Sequence, residues 1–206
     1  MYRVFDMFPV PLYRSILRED TSALNKYTKN MSDQGEGSWM SNEFPPRLLE
    51  HADLKHIKDA IMSHFCKFMY EALGCNRQTN AVFTTSWLAA IDKGGYIHSH
   101  SHANCWFSGL LYFGDDYTTA VPLHLKDPKA TQSSILVDSK RYNVGQPVSI
   151  QPEKNLLIFF PSYIVHSSEA QMSDKRRWSL AFNFYPKGKV GEELTDSYLD
   201  TKWLSS

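Results

Sequence analysis

The stretch Gly94-Gly95-Tyr96-Ile97-His98-Ser99-His100-Ser101-His102-Ala103-Asn104 places three of the chain's eight histidines at two-residue spacing. In an extended segment successive side chains alternate sides, so His98, His100 and His102 would share one face. Imidazole is the commonest metal ligand near neutral pH, because it offers a nitrogen lone pair where Lys is charged and Cys is largely protonated. The pattern therefore predicts a metal site. One strand alone would hold an ion loosely, so a further ligand is expected from elsewhere. The candidate is His166, which closes Phe159-Phe160-Pro161-Ser162-Tyr163-Ile164-Val165-His166, just after an apolar run that reads as a buried strand.

Outward from this stretch, short β-rich runs separated by turn residues extend from Asn80 to about residue 185. The runs are Val82 to Ile91, Trp106 to Phe113, Val121 to Lys126, Ile135 to Asp138, Pro147 to Ile150, Leu156 to Phe160 and Trp178 to Tyr185, with turns such as Asn143-Val144-Gly145 between them. Many short strands at this spacing indicate a sandwich, jelly roll or barrel. Before them, Leu54, Ile57, Ile61, Phe65, Phe68, Met69, Ala72 and Leu73 recur at three- and four-residue steps, which predicts a helix from Asp53 to Leu73, capped by Asp53 and ended by Gly74. The prolines of Phe8-Pro9-Val10-Pro11-Leu12-Tyr13 fit an edge strand or an irregular lead-in, and the polar stretch from Thr28 to Ser38 reads as a loop. Trp39 and Met40 then read as packing anchors, with a lid over a site as the alternative. At 206 residues one domain is expected, 1–206, with residues 1–78 as an N-terminal segment and helix, 79–186 as a β-barrel core and 187–206 as a polar tail whose Tyr198, Leu199, Trp203 and Leu204 can dock back.

Composition excludes several classes. A hydrophobic content of 42% is globular rather than disordered, and 22 Lys+Arg against 22 Asp+Glu leave no electrostatic footprint for nucleic acid or membrane. With no signal-peptide pattern and no apolar run of membrane length, a soluble cytoplasmic protein is expected. Cys66, Cys75 and Cys105, odd in number and without CxxC spacing, argue against a disulfide framework and a zinc ribbon.

The last predicted strand carries a second pattern. In Arg177-Trp178-Ser179-Leu180-Ala181-Phe182-Asn183-Phe184 the even positions are bulky and apolar, while the odd ones are cationic, hydroxyl, small and amide. The odd face is either solvated, as on any half-buried antiparallel strand, or looks into something polar and narrow. Ala, Asn and a lone Ser make a poor solvent face, and an Arg fork two residues before a hydroxyl suits bidentate capture of a carboxylate. Arg176, of opposite parity, is assigned to the surface.

Taken together, His100-x-His102, Phe107-Ser108-Gly109-Leu110-Leu111-Tyr112-Phe113, Phe160-Pro161-Ser162 with His166, and Arg177-Trp178-Ser179 with Phe182-Asn183 resemble the 2-oxoglutarate- and Fe(II)-dependent oxygenases. The nearest likeness is to a bacterial and phage group with the pattern HxH, FPS…H and RxSxAFN. The resemblance implies a mainly β double-stranded β-helix, jelly-roll or cupin-like, with the N-terminal helix packed on it. It also implies Fe(II) on His100, His102 and His166, and 2-oxoglutarate held through its far carboxylate by Arg177 and Ser179. Tyr112 and Asn183 have the strand parity to reach the same pocket. The implied activity is hydroxylation of a small molecule or peptide with O2, releasing succinate and CO2.

One position departs from that family. The usual set is two His and one carboxylate, yet position 102 is His and no acidic residue lies between Ile97 and Gly114. Either three neutral imidazoles bind the metal, or His98 is a ligand and one of the three stands behind it, or only two residues ligate. A three-histidine cupin-type dioxygenase without oxoglutarate and a non-catalytic jelly-roll binding protein are the alternatives. Trp87, Trp106 and Trp178 are expected in the core, and His51, His56, His64 and His124 as packing or surface residues.

Overall fold

The computed structural model describes residues 3, 9–115, 117–128, 147–191 and 194–201. In chain order its elements are β1 (Tyr13–Ile16), β2 (Met31–Gly35), β3 (Ser38–Ser41), α1 (Lys55–Lys67), β4 (Asn80–Ile91), β5 (Phe107–Tyr112), β6 (Leu123–Leu125), β7 (Val148–Ile150), β8 (Leu156–Pro161), β9 (His166–Ser168), β10 (Arg177–Lys187), β11 (Lys189–Val190) and β12 (Leu199–Asp200). Seven strands form one antiparallel sheet in the order β1-β8-β5-β10-β4-β3-β2, three form a second in the order β7-β6-β9, and β11 pairs with β12. The expected mainly β architecture with a helix against it is what forms. The runs expected at Ile135 to Asp138 and Asn143-Val144-Gly145, with Trp203 and Leu204, lie outside the described residues.

The alternation read from residues 177–184 decides how the layers stack. Leu180, Phe182 and Phe184 turn to one side of β10, where they bury against Ile57, Ile61, Phe65 and Phe68 of α1 and the turn after it. Phe65 stacks on Phe184 at 3.8 Å and 5°. Each such buried side chain contributes roughly 1.5–3 kcal/mol of transfer free energy, so this face fixes the helix on the sheet. Gly109 is needed here, because a Cβ on it would stand 2.3 Å from the Phe182 ring and 2.8 Å from the Ile158 carbonyl. The opposite face of the large sheet meets the small one through Tyr112, Leu156, Ile158 and Phe160 against Leu123, Leu125 and Ile150. All six residues of β8 are therefore buried, as a strand covered on both faces requires.

Three local expectations change. The polar stretch 28–38 is not simply a loop, because β2 and β3 form a hairpin whose second strand pairs with Ala89–Ile91 of β4. Strands from the first 78 residues thus extend the core sheet. The helix runs as α1 between a 3-10 turn, Ala52–Leu54, and a π-helical turn, Phe68–Ala72, but Asp53 does not cap it. Its carboxylate instead accepts from Lys26 Nζ at 2.8 Å and Tyr27 O–H at 2.6 Å. Finally, residues 94–104 are not a strand. Among the described residues no helix is long and apolar enough to cross a membrane.

Candidate metal centre

Residues 94–102 form a strap hydrogen-bonded antiparallel to residues 162–171. Gly94 N–H donates to the Gln171 carbonyl (2.7 Å), Gln171 N–H to Gly95 (2.8 Å), Ser168 N–H to Ile97 (3.1 Å) and His102 N–H to Ser162 (2.9 Å), while His100 and His166 bond each other both ways. At its start the strap passes so close to the β2–β3 turn that a Cβ on Gly95 would lie 2.4 Å from the Gly37 carbonyl oxygen. The strap is not pleated, so the three histidines do not share a face. His98 turns outward, with Nε2 2.9 Å from Glu36 Oε2 and its ring 4.7 Å from that of Tyr96.

His100 and His102 converge on His166 instead. One nitrogen of each lies within 4.8 Å of the others, and among the described residues this is the one group of three or more His, Cys, Asp or Glu side chains so placed. Ring centroids are 4.2 Å apart for His100 and His166, and 5.2 Å for each of the other pairs. Nδ1 of His100 lies 2.8 Å from the His98 carbonyl, and Nδ1 of His166 lies 3.1 Å from that of Ile164. A carbonyl only accepts, so both rings carry their proton on Nδ1 and present a bare Nε2. His102 Nε2 is buried with no hydrogen-bond partner. Burial, before the neighbouring imidazoles, lowers the His102 pKa and brings that of His166 down to about 4. Three imidazoles with a ring nitrogen each within 4.8 Å of the others suit a divalent cation, and a bound ion would satisfy the orphaned His102 nitrogen.

The odd face of β10 leads away from this cluster. Ser179 pairs with Tyr112 of β5, Ala181 with Leu110 and Trp87, and Asn183 with Ser108 and Thr85. At its far end Arg177 is 3% exposed, with Nη1 donating to the Val121 carbonyl at 2.9 Å and the guanidinium 5.9 Å from the Tyr112 ring centroid. Its Nε and the Tyr112 hydroxyl are both buried without a partner. Among the described residues no carboxylate is paired with Arg177, and burial lowers its pKa. A buried cation without a counter-ion is costly, and an anion bound at this end would offset that cost. Asn183 is already engaged: its Oδ1 accepts from Ser108 Oγ (2.7 Å), its Nδ2 donates to Thr85 Oγ1 (2.9 Å), and its contact with His102 partly offsets the lowering of that pKa. A bulge opposite Asn183 and Phe184, where Thr84 is left unpaired, lets both Thr85 and Phe83 keep their faces.

The model of the family described as "Putative 2OG-Fe(II) oxygenase" matches residues 85–183, from the middle of β4 to Asn183. Over that stretch, a little under half of its length, the chain is similar to the 2OG-Fe(II) oxygenases. No curated protein matches it. Among solved structures, the chain resembles a prolyl-4-hydroxylase from Pseudomonas putida (12% identity, TM-score 0.56, 87% of this chain and 94% of that one). It also resembles a prolyl hydroxylase from Trichoplax adhaerens in complex with a hypoxia inducible factor peptide fragment (13%, 0.57, 84% and 83%). A third is HygX from Streptomyces hygroscopicus with nickel, 2-oxoglutarate and hygromycin B bound (7%, 0.56, 94% and 93%). At these identities the likeness establishes the jelly-roll fold.

The other described histidines of the chain lie apart. His64 Nδ1 is 2.6 Å from the Tyr13 hydroxyl, His56 Nε2 is 2.9 Å from the Asp20 carbonyl, His51 is 3.4 Å from Glu43, and His124 Nδ1 is 2.9 Å from Ser149 Oγ. Arg176 is only half on the surface, gripping Asp92 through two hydrogen bonds of 2.6 and 2.7 Å between the rings of Trp39 and Trp178. Trp39 is thereby a packing anchor. Trp87, expected in the core, stacks on His102 at 5.9 Å and 20° and pairs with Ala181. The supports at Val121 and Gln171 carry no sequence signal, whereas Ser108 and Ser162 fall within the quoted motifs.

Proposed function

We propose that His100, His102 and His166 hold Fe(II), and that Arg177, with Ser179 and the Tyr112 hydroxyl, receives the far carboxylate of 2-oxoglutarate. The observation that carries this reading is Arg177: a buried guanidinium with no carboxylate partner among the described residues, on the face of β10 whose Asn183 contacts His102. Iron, oxoglutarate and O2 together would supply the oxidant that hydroxylates a substrate C–H bond, with succinate and CO2 released.

The chain's own residues hold, orient and exclude water. The guanidinium offers Nε and its remaining Nη hydrogens to a carboxylate in a charge-assisted pair. Tyr112, whose pKa burial raises, keeps its proton and offers its O–H as a hydrogen-bond donor to that carboxylate. Ala181 and Leu110 line the path between the two ends without competing polar groups. Asn183 does not touch the co-substrate in this reading but supports His102. The three imidazoles bring no charge, so an incoming dianion does the neutralising that a carboxylate ligand otherwise does. A cytoplasmic, small-molecule or peptide hydroxylase is the form of the activity we infer.

The all-histidine set also favours a second reading, a cupin-type dioxygenase that needs no oxoglutarate. Anaerobic Fe(II) titration with and without oxoglutarate separates the two. Oxoglutarate that tightens iron binding supports the first reading, and oxoglutarate without effect on the iron-loaded protein supports the second.

A further inference from the structure

Gln171 is 1% exposed and joins three parts of the site. Its main chain pairs with Gly94 and Gly95, where the strap bearing His100 and His102 begins. Its side chain reaches elsewhere: Oε1 accepts from Val121 N–H at 3.1 Å and Nε2 donates to the Lys175 carbonyl at 3.2 Å. The Val121 carbonyl is in turn the acceptor of Arg177 Nη1 at 2.9 Å, and Lys175 stands two residues before Arg177. A single buried amide thus ties the segment that carries the histidines to both the acceptor and the approach of the guanidinium.

We propose that Gln171 is a positioning residue that fixes the span between the histidine cluster and Arg177, and so selects the chain length of the 2-oxo dicarboxylate. The inference rests on the reading of those residues given above. A ligand gripped at both ends is measured by the distance between the grips. When that distance cannot adjust, one methylene too many changes selectivity by roughly 10–200-fold. A buried amide satisfied on both sides is a stiff tie, because moving either segment would leave a polar group without its partner. A tie that is cut lets the grips separate, and the longer acid then fits.

The test is anaerobic calorimetric titration of the Fe(II)-loaded protein with 2-oxoglutarate and with 2-oxoadipate, one methylene longer. The wild type should prefer oxoglutarate by at least about tenfold. Gln171→Met, which keeps the length but neither hydrogen bond, should retain its metal and narrow that preference by about tenfold, the low end of what one methylene is worth in a pocket that cannot adjust. A residue that only stabilises the fold would weaken both acids by the same factor. An unchanged ratio in Gln171→Met beside tight oxoglutarate binding by the wild type overturns this inference alone. Equal binding of the two acids by the wild type overturns it without any variant. A wild type that binds neither acid overturns the reading of Arg177 and this inference with it.

Discussion

His100 and His166 exchange both main-chain hydrogen bonds, at 3.0 and 2.8 Å, and their rings meet at 4.2 Å. The pairing is an isolated bridge outside any named strand of the strap, so the backbone presents the two imidazoles side by side before any ion arrives. Pre-organisation of this kind gives the ligands little freedom to lose on binding.

Removing either member of that pair should therefore be severe. His100→Ala and His166→Ala should each weaken Fe(II) binding by about 100-fold or more, beyond the 10–100-fold typical of residues that merely support a ligand. His98→Ala should be mild, because its ring turns outward to Glu36 and only its carbonyl touches His100. Anaerobic metal titration of the three variants checks this. Full iron retention in both His100→Ala and His166→Ala would remove the metal assignment.

Arg177 should show opposite effects on binding and on stability. Arg177→Lys keeps the charge but loses the fork, and with Arg177→Ala it should cost roughly 1.5–3 kcal/mol in oxoglutarate binding, about tenfold or more. Arg177→Met, in contrast, removes a buried cation that has no carboxylate partner among the described residues, so the ligand-free protein should melt higher. Thermal unfolding with and without oxoglutarate measures both. A lower melting temperature in ligand-free Arg177→Met would mean that the guanidinium is compensated.

Asn183 should act on the metal rather than on the co-substrate. Asn183→Leu leaves the Ser108 and Thr85 hydroxyls without their amide partner, for a loss of about 1–3 kcal/mol in stability. Iron affinity should fall through His102, while oxoglutarate affinity at saturating metal changes little. A selective loss of oxoglutarate binding would restore Asn183 as a direct contact.

What could be read from the sequence follows how local the cause is. The period-two pattern of residues 177–184 fixes which face meets α1, since burying Phe182 and Phe184 leaves Arg177 and Ser179 on the other side. The histidine pair His100 and His102 was legible by type but not by geometry: strand parity put His98 with them, and the unpleated strap turned it away. Asp53 looked like a helix cap until Lys26 and Tyr27, distant in sequence, took its carboxylate. The β2–β3 hairpin was hidden because its residues are polar and its pairing depends on the edge of β4 and on Gly37 meeting Gly95. Gln171 lies between turns with no periodicity around it. Only the fold shows that its amide spans three segments.

The last prediction concerns the middle ligand. Asp at position 102 would cancel part of the metal's charge, whereas His leaves that work to the incoming dianion. Iron and oxoglutarate should therefore bind the wild type with marked positive coupling, each tightening the other by the same factor, as linkage requires. In His102→Asp, iron alone should bind more tightly and the coupling should shrink. The half-buried position of His102 against Trp87 sharpens the effect, because a charge half removed from water interacts more strongly with the ion. Four dissociation constants, for iron with and without oxoglutarate in each protein, decide it. Equal coupling in the two would mean that His102 does not ligate, and that His100 and His166 hold the metal alone.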